Sequence, residues 1–255
     1  MEFVLEAKGV NKVFGAKRTT IAALNEIDIN IAKGEFVAVM GPSGSGKSSL
    51  LNVLSSIEAP TSGSIRIEGM ELTKLKEEPL REFRRDKLGF IFQDYNLLDT
   101  LTVAENIMLP LVFTNCPKHE IKQKMNTIAE RFGIQAIIDK YPYEISGGQQ
   151  QRTAVCRALI GGPTILFADE PTGALDSTSA YQLLQTLSKL NENQLTTILM
   201  VTHDPFAASF CSRVIFIKDG SLFTEIHKGE STREQLFQQI LSILSTLGGG
   251  QYDAV

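Results

Sequence analysis

The stretch Val37-Ala38-Val39-Met40-Gly41-Pro42-Ser43-Gly44-Ser45-Gly46-Lys47-Ser48-Ser49-Leu50-Leu51-Asn52-Val53-Leu54 decides the architecture. Its first four residues read as a buried strand, and the apolar run from Leu50 reads as a helix. Between them, Gly41 to Ser48 fits the pattern G-x-x-x-x-G-K-[ST]. Glycines at 41, 44 and 46 let the backbone turn so that successive N–H groups point inward. The start of the next helix adds positive potential at the same place, which suits the β-phosphate of a nucleotide. Lys47 supplies a full charge toward the β- and γ-oxygens, and the Ser48 hydroxyl is placed to ligate Mg²⁺. Ser43, Ser45 and Ser49 complete the nucleotide-binding candidates of this loop.

Outward from the loop, residues 88–92, 165–168, 197–201 and 214–217 are further short apolar runs. Continuous apolarity on both faces suits strands covered by helices, so a mostly parallel α/β sheet is expected. Ile27-Asp28-Ile29-Asn30-Ile31 alternates instead. With residues 5–14 it predicts an antiparallel, half-exposed sheet at the N-terminal edge. Between about residues 71 and 133 the pattern turns charged and helical. The mixed-sign run around Glu77 to Lys87 reads as a solvated helix face, and Ile121, Met125, Ile128, Ala129 and Phe132 mark an amphipathic helix. Leu236, Ile240, Ile243, Leu244 and Leu247 predict a C-terminal helix that packs on its own domain and is ended by Gly248-Gly249-Gly250. The expected division is one α/β domain over about residues 1–230 with a helical subdomain at about 94–160, then a helix and frayed tail over 231–255.

Composition bounds the function. The 255 residues are 43% hydrophobic and 21% charged, with 25 basic against 29 acidic side chains and a net charge of −4. That balance excludes collagenous, disulfide-scaffold and strongly disordered classes and argues against a surface that wraps nucleic acid. Cys116, Cys156 and Cys211 are scattered, with no zinc-site or disulfide spacing, which favours a reducing compartment. Met1 to Lys8 carries charges where a secretory signal needs an apolar stretch, so none is expected. No apolar run approaches the ~18 residues needed to span a bilayer, so a membrane process would need another chain.

Two further strand ends carry chemistry. Ile165-Leu166-Phe167-Ala168-Asp169-Glu170 delivers adjacent carboxylates at the end of a parallel strand, where ligands gather. Neighbouring side chains point to opposite sides, so Asp169 is read as reaching the Mg²⁺ shell and Glu170 as polarising the attacking water or accepting its proton. His203 in Thr202-His203-Asp204 ends another apolar run and is read as a γ-phosphate contact. Ser146-Gly147-Gly148-Gln149 opens a second helix with little side-chain bulk, which makes a second anion site. One nucleotide cannot use both sites unless they approach each other.

These motifs together resemble the nucleotide-binding subunit of an ATP-binding cassette (ABC) transporter. The loop from Gly41 to Ser48 is similar to its Walker A motif, Ile145 to Gln149 to its Leu-Ser-Gly-Gly-Gln signature with Ile for Leu, and Ile165 to Glu170 to its Walker B strand. Gln93 in Ile91-Phe92-Gln93-Asp94 matches the Q-loop, with a role in the catalytic centre and at Mg²⁺. Asp176 in Ala174-Leu175-Asp176 matches the D-loop, and His203 matches the switch histidine. Phe14 falls where the family places an aromatic ring on adenine; stacking needs only the ring face. The resemblance implies ATP and Mg²⁺ as cofactors, and a head-to-tail dimer of two copies enclosing two ATP molecules. It also implies a membrane-spanning permease that holds the subunit on the cytoplasmic face.

A finer resemblance lies in residues 88–107, 167–177 and 202–205, which look like lipoprotein-release and macrolide-export ATPases and, more closely, those of bacitracin-type peptide resistance and sensing. That subgroup implies peptide antibiotics or their lipid-bound targets as the object, and a sensor kinase as a further partner. Leu97, Leu98 and Leu101 follow the Q-loop, where the family receives a permease helix; they either form that docking patch or cap the helical subdomain's own core. The rival class, a soluble ABC-type ATPase acting on DNA or ribosomes, would carry a long coiled coil, a second cassette or a basic arm. A non-hydrolysing scaffold is disfavoured by the presence of both Glu170 and His203.

Overall fold

The computed structural model describes residues 2–15 and 20–247. The chain runs β1 (Phe3–Phe14), β2 (Ile21–Ala32), β3 (Phe36–Met40), α1 (Lys47–Leu54), β4 (Ser62–Ile67), β5 (Met70–Glu71), α2 (Glu77–Lys87), β6 (Leu88–Ile91), α3 (Val103–Val112) and α4 (Lys118–Arg131). It continues through α5 (Gly147–Leu159), β7 (Ile165–Asp169), α6 (Ser177–Gln194), β8 (Thr197–Val201), α7 (Pro205–Ala208), β9 (Arg213–Lys218), β10 (Ser221–His227) and α8 (Arg233–Leu247).

The six-stranded sheet has the order β10-β9-β3-β8-β7-β6, and all its pairings are parallel except that of β10. Alternation along the buried strands splits the core between its two faces. Phe36, Ala38 and Met40 pack with α3 to α8, while Val37 and Val39 pack with α1 and the antiparallel sheet β2-β1-β4-β5. The sheet is therefore covered on both sides, and this is why its strands are apolar throughout. Because β3, β6, β7 and β8 run the same way, the segments that follow them emerge along one edge of the sheet. Gly41, Gln93, Asp169, Glu170 and His203 all lie at that edge.

Continuous apolarity marked the central strands but not β10 or β4. The edge strand β10 is mostly exposed, and β4 opens with Ser62-Gly63-Ser64, so neither shows the buried-strand pattern. The charged, helical stretch from about residue 71 to 133 is divided by β6, the strand expected at residues 88–92. Phe83 of α2 packs on the α1 side of the sheet, whereas α3, α4 and α5 pack on the other. The C-terminal helix packs on its own domain through Leu236, Ile240 and Leu247. The glycines expected to end it, and the tail beyond, lie outside the described residues.

Candidate functional site

The loop after β3 is built around glycine. A Cβ on Gly41 would sit 2.2 Å from the Ile217 carbonyl oxygen, so no larger residue fits beneath β9. Gly46 caps α1 at φ 99 and offers no side chain to the first-turn N–H groups, which remain available to an anion. The Lys47 ammonium folds back over the loop and donates to Gly41 O at 2.9 Å and Pro42 O at 2.8 Å. Burial lowers its pKa, opposed by the nearby Glu170 and Asp169 carboxylates. Ser45 departs from its neighbours. Its side chain is 3% exposed and turns under the loop, while Ser43, Ser48 and Ser49 line the cleft.

That cleft holds about 730 Å³, within the range of small-molecule and cofactor sites. Lys47, Gln93, Glu170, His203 and Phe14 all face it. Phe14 is 40% exposed rather than buried in the core, and the Lys12 ammonium lies 4.8 Å from its ring centroid. Burial, and then the Glu170 charge, push the Asp169 carboxyl above its ordinary pKa, while Lys47 opposes them. Asp169 Oδ1 is buried without a hydrogen-bond partner.

Glu170 leaves β7 in the left-handed region at φ 44, a conformation that costs energy in a residue with a Cβ. Its backbone N–H donates to Val201 O at 2.9 Å, which fixes it beside β8. Its Oε1 accepts from the His203 N–H at 3.0 Å and lies 2.8 Å from His203 Nδ1; Thr202 Oγ1 donates to Oε2 at 3.2 Å. The Glu170 side chain is 14% exposed and that of His203 73%, so the imidazole sits between carboxylate and solvent.

Ser146 lies elsewhere. It caps α5 in a reciprocal box in which Gln149 N–H donates to Ser146 Oγ at 3.4 Å and Ser146 N–H donates to Gln149 Oε1 at 3.0 Å. Asp176 caps α6 by accepting from the Thr178 and Ser179 N–H groups, both at 3.0 Å, and those bonds lower its pKa. The two caps adjoin, since a Cβ on Gly148 would meet Ser179 Oγ at 3.0 Å. None of Ser146, Gly147, Gly148, Gln149 and Asp176 lines the Lys47 cleft. The candidates thus fall into two groups on one chain.

The ABC transporter family profile matches residues 24–173. The chain is 56% identical to the bacitracin export ATP-binding protein of Halalkalibacterium halodurans, over 98% of this chain and 99% of that one. The chain belongs to the ABC transporter family. It is also 42% identical to the macrolide export ATP-binding/permease protein of Neisseria meningitidis, over 88% of this chain but 35% of that longer protein. Among solved structures, the dimeric post-hydrolysis state of an ATP-binding cassette bound to ADP and Pi superposes with a TM-score of 0.82. It shares 39% identity over 88% of this chain and 98% of that one. The chain is accordingly an ATPase of this family.

In this ABC ATPase several participants carried no sequence signal. Thr202 holds Glu170 although a threonine at a strand end is unremarkable. Leu244 and Leu247 of α8 join the cleft wall from about 200 residues away, which only folding brings about. The buried Asn106 ties down the segment after Gln93, binding the N–H and carbonyl of Leu98 and the carbonyls of Leu101 and Thr102. Of the three leucines there only Leu98 is well exposed, at 46%. The Ser-x-x-Gln spacing of the α5 cap could have been read as a capping box.

Among the described residues no cluster of three or more metal-binding side chains exists. Mg²⁺ does not require one, since it is commonly held by one or two protein groups plus phosphate oxygens and water. Asp169, with its unpartnered buried oxygen, fits that donor set.

Proposed function

We propose that this chain is the nucleotide-binding subunit of a bacterial exporter for bacitracin-like peptide antibiotics, working as a head-to-tail pair that closes on two molecules of ATP. The observation that carries this reading is the separation within one chain: Lys47 faces a cleft that Ser146 does not line. Two anion-binding helix starts serve one triphosphate when each comes from a different copy, and a two-fold axis makes two such seams. The dimeric relative bound to ADP and Pi and the relative named for bacitracin export support the assembly and the substrate class. Among the described residues no helix is long and apolar enough to cross a membrane, so a permease would do the spanning and hold this subunit at its cytoplasmic face. A sensor kinase is a further partner, and nucleic acid is not.

In this reading Phe14 stacks on adenine, and the loop N–H groups and Lys47 bind the β- and γ-phosphates. Asp169, Ser48 and Gln93 would hold Mg²⁺, which would neutralise charge on the phosphates. Lys47 must exchange its bonds to Gly41 and Pro42 for phosphate oxygens. Glu170 orients a water and accepts its proton as the oxygen attacks the γ-phosphorus and the bridge to the β-phosphate breaks. A carboxylate has about four lone-pair sites, so its bonds to His203 and Thr202 leave room for that proton. His203, bonded on one side to Glu170, offers its outer ring edge to the γ-phosphate. Ser146, Gly147, Gly148 and Gln149 contact that phosphate from the other copy, with Asp176 beside them.

The test places Ser146→Arg in a Glu170→Gln background and follows ATP-driven dimerisation by size exclusion. The double variant should bind ATP as a monomer and stay monomeric, while Glu170→Gln alone dimerises. Dimerisation of both would remove Ser146 from the seam.

A further inference from the structure

The residues after Gln93 follow a costly path. Tyr95 and Asn96 are both left-handed, at φ 59 and 48, and neither is glycine. In that region the Cβ of an L-residue crowds the following carbonyl, so consecutive examples need something to hold them. Arg157 does so from the last turn of α5. Its Nη2 donates to Tyr95 O at 2.8 Å, and its Nη1 donates to Asn96 O. One guanidinium thus spans the carbonyls of both left-handed residues, a task that suits a rigid planar fork and not a lysine. Among the described residues no carboxylate pairs with Arg157, and burial lowers its pKa. Its charge is answered by carbonyl dipoles, the two it holds included.

Tyr95 reaches the opposite way. Its phenol donates to Ala174 O at 3.4 Å, in the turn between Glu170 and Asp176. A Cβ on Gly147 would lie 3.1 Å from the same phenol oxygen, so this turn also abuts the first residue of α5. Gln93 in turn lies near Gly173, where a Cβ would be 3.4 Å from its Nε2. The Tyr95-Asn96 turn therefore touches α5 at both ends and the chain that carries Glu170.

We propose that Arg157 and Tyr95 are positioning residues for Gln93, clamping the turn behind it so that Gln93, the Ser146 end of α5 and the Glu170 turn keep one geometry. The inference rests on the roles given above to Gln93 and Ser146. A plain packing role for Arg157 is the alternative, and the two differ in what relieves its loss. Glycine takes a left-handed φ without crowding, so Asn96→Gly should compensate a missing clamp but not a missing piece of packing.

The experiment compares wild type, Arg157→Ala, and Arg157→Ala with Asn96→Gly, each first shown to melt cooperatively. Hydrogen exchange of the amides in residues 94–98 should quicken about 10-fold or more in Arg157→Ala, while the Kd for ATP in EDTA stays within about twofold. The kcat for ATP should fall about 10- to 100-fold, the scale seen when an outer-shell partner is removed. Adding Asn96→Gly should recover about fivefold or more of that loss. A folded Arg157→Ala with wild-type exchange and kcat overturns the clamp, and so does a loss that Asn96→Gly leaves untouched. Should Arg157→Ala fail to fold, Arg157→Lys replaces it with the same criteria. Failure of wild type to hydrolyse ATP, or of Glu170→Gln to dimerise on ATP, would instead strike the proposed function itself.

Discussion

The loop at Gly41 to Ser48 and the turn at Ser146 to Gln149 both present the start of a helix, yet they treat their polar groups in opposite ways. The first leaves its donors open: Gly46 supplies no capping side chain, and nearby Asp169 Oδ1 is buried without a partner. The second is satisfied from within, Ser146 and Gln149 capping one another while Asp176 caps the adjoining helix. An open, desolvated site gains most when a charged ligand arrives, whereas a capped turn is already rigid and adds contacts at little ordering cost. The difference accords with the proposed function, in which one binds the nucleotide and the other recognises an already bound phosphate.

That contrast can be broken most severely at Glu170. Replacing it with glutamine removes the proton acceptor of the proposed function but keeps the shape. Hydrolysis should fall about 10²- to 10⁴-fold in a steady-state assay, with ATP binding retained. Normal turnover would dissolve the division of labour at the open site. Next in size is Lys47→Ala. At ATP about 100-fold above its Kd the wild-type protein should gain about 2.7 kcal/mol of stability, visible as a raised Tm, and the variant should gain none.

Smaller changes sharpen the comparison. Ser146→Ala removes a cap from the self-satisfied turn. It should cost about 1 kcal/mol, or about 2–4 °C in Tm, without changing the affinity of the monomer for ATP. A drop in monomer affinity would mean that the turn serves its own chain's nucleotide. Asp169→Asn acts in the opposite sense. Burial and Glu170 raise the folded-state pKa of Asp169, so ionising it destabilises the fold. The penalty is absent at acid pH, grows as pH rises past the ordinary aspartate value of 3.8, and is complete above the folded pKa. Solvent screening at this partly exposed position keeps the penalty small. The asparagine variant without nucleotide should therefore melt roughly a few degrees higher than the wild type at pH 7, and the gain should vanish below about pH 3, where both states hold the proton. An equal gain at both pH values would mean that charge is not its cause.

Much of this protein was legible in its sequence because the relevant signals are local. A glycine-rich loop between a four-residue apolar run and a helix, or two acids closing an apolar strand, must appear contiguously for the chemistry to work at all. The mostly exposed β10 was not legible, because an edge strand lacks the continuous apolarity that marks its buried neighbours. Nor were the Arg157 clamp and the Asn106 staple. Each acts on backbone carbonyls, which every residue possesses, so nothing in the residue types announces the pairing.

Residue order by itself determined the α/β class, the phosphate loop and the acidic strand end, since each depends on side chains adjacent along the chain. Only folding decided that Glu170 would meet Thr202 and His203, because a parallel sheet aligns strand ends that lie 32 and 33 residues apart. Folding alone also decided that Lys47 and Ser146 face different surfaces, since the packing of α5 against the sheet, and not its sequence, sets where its first turn points.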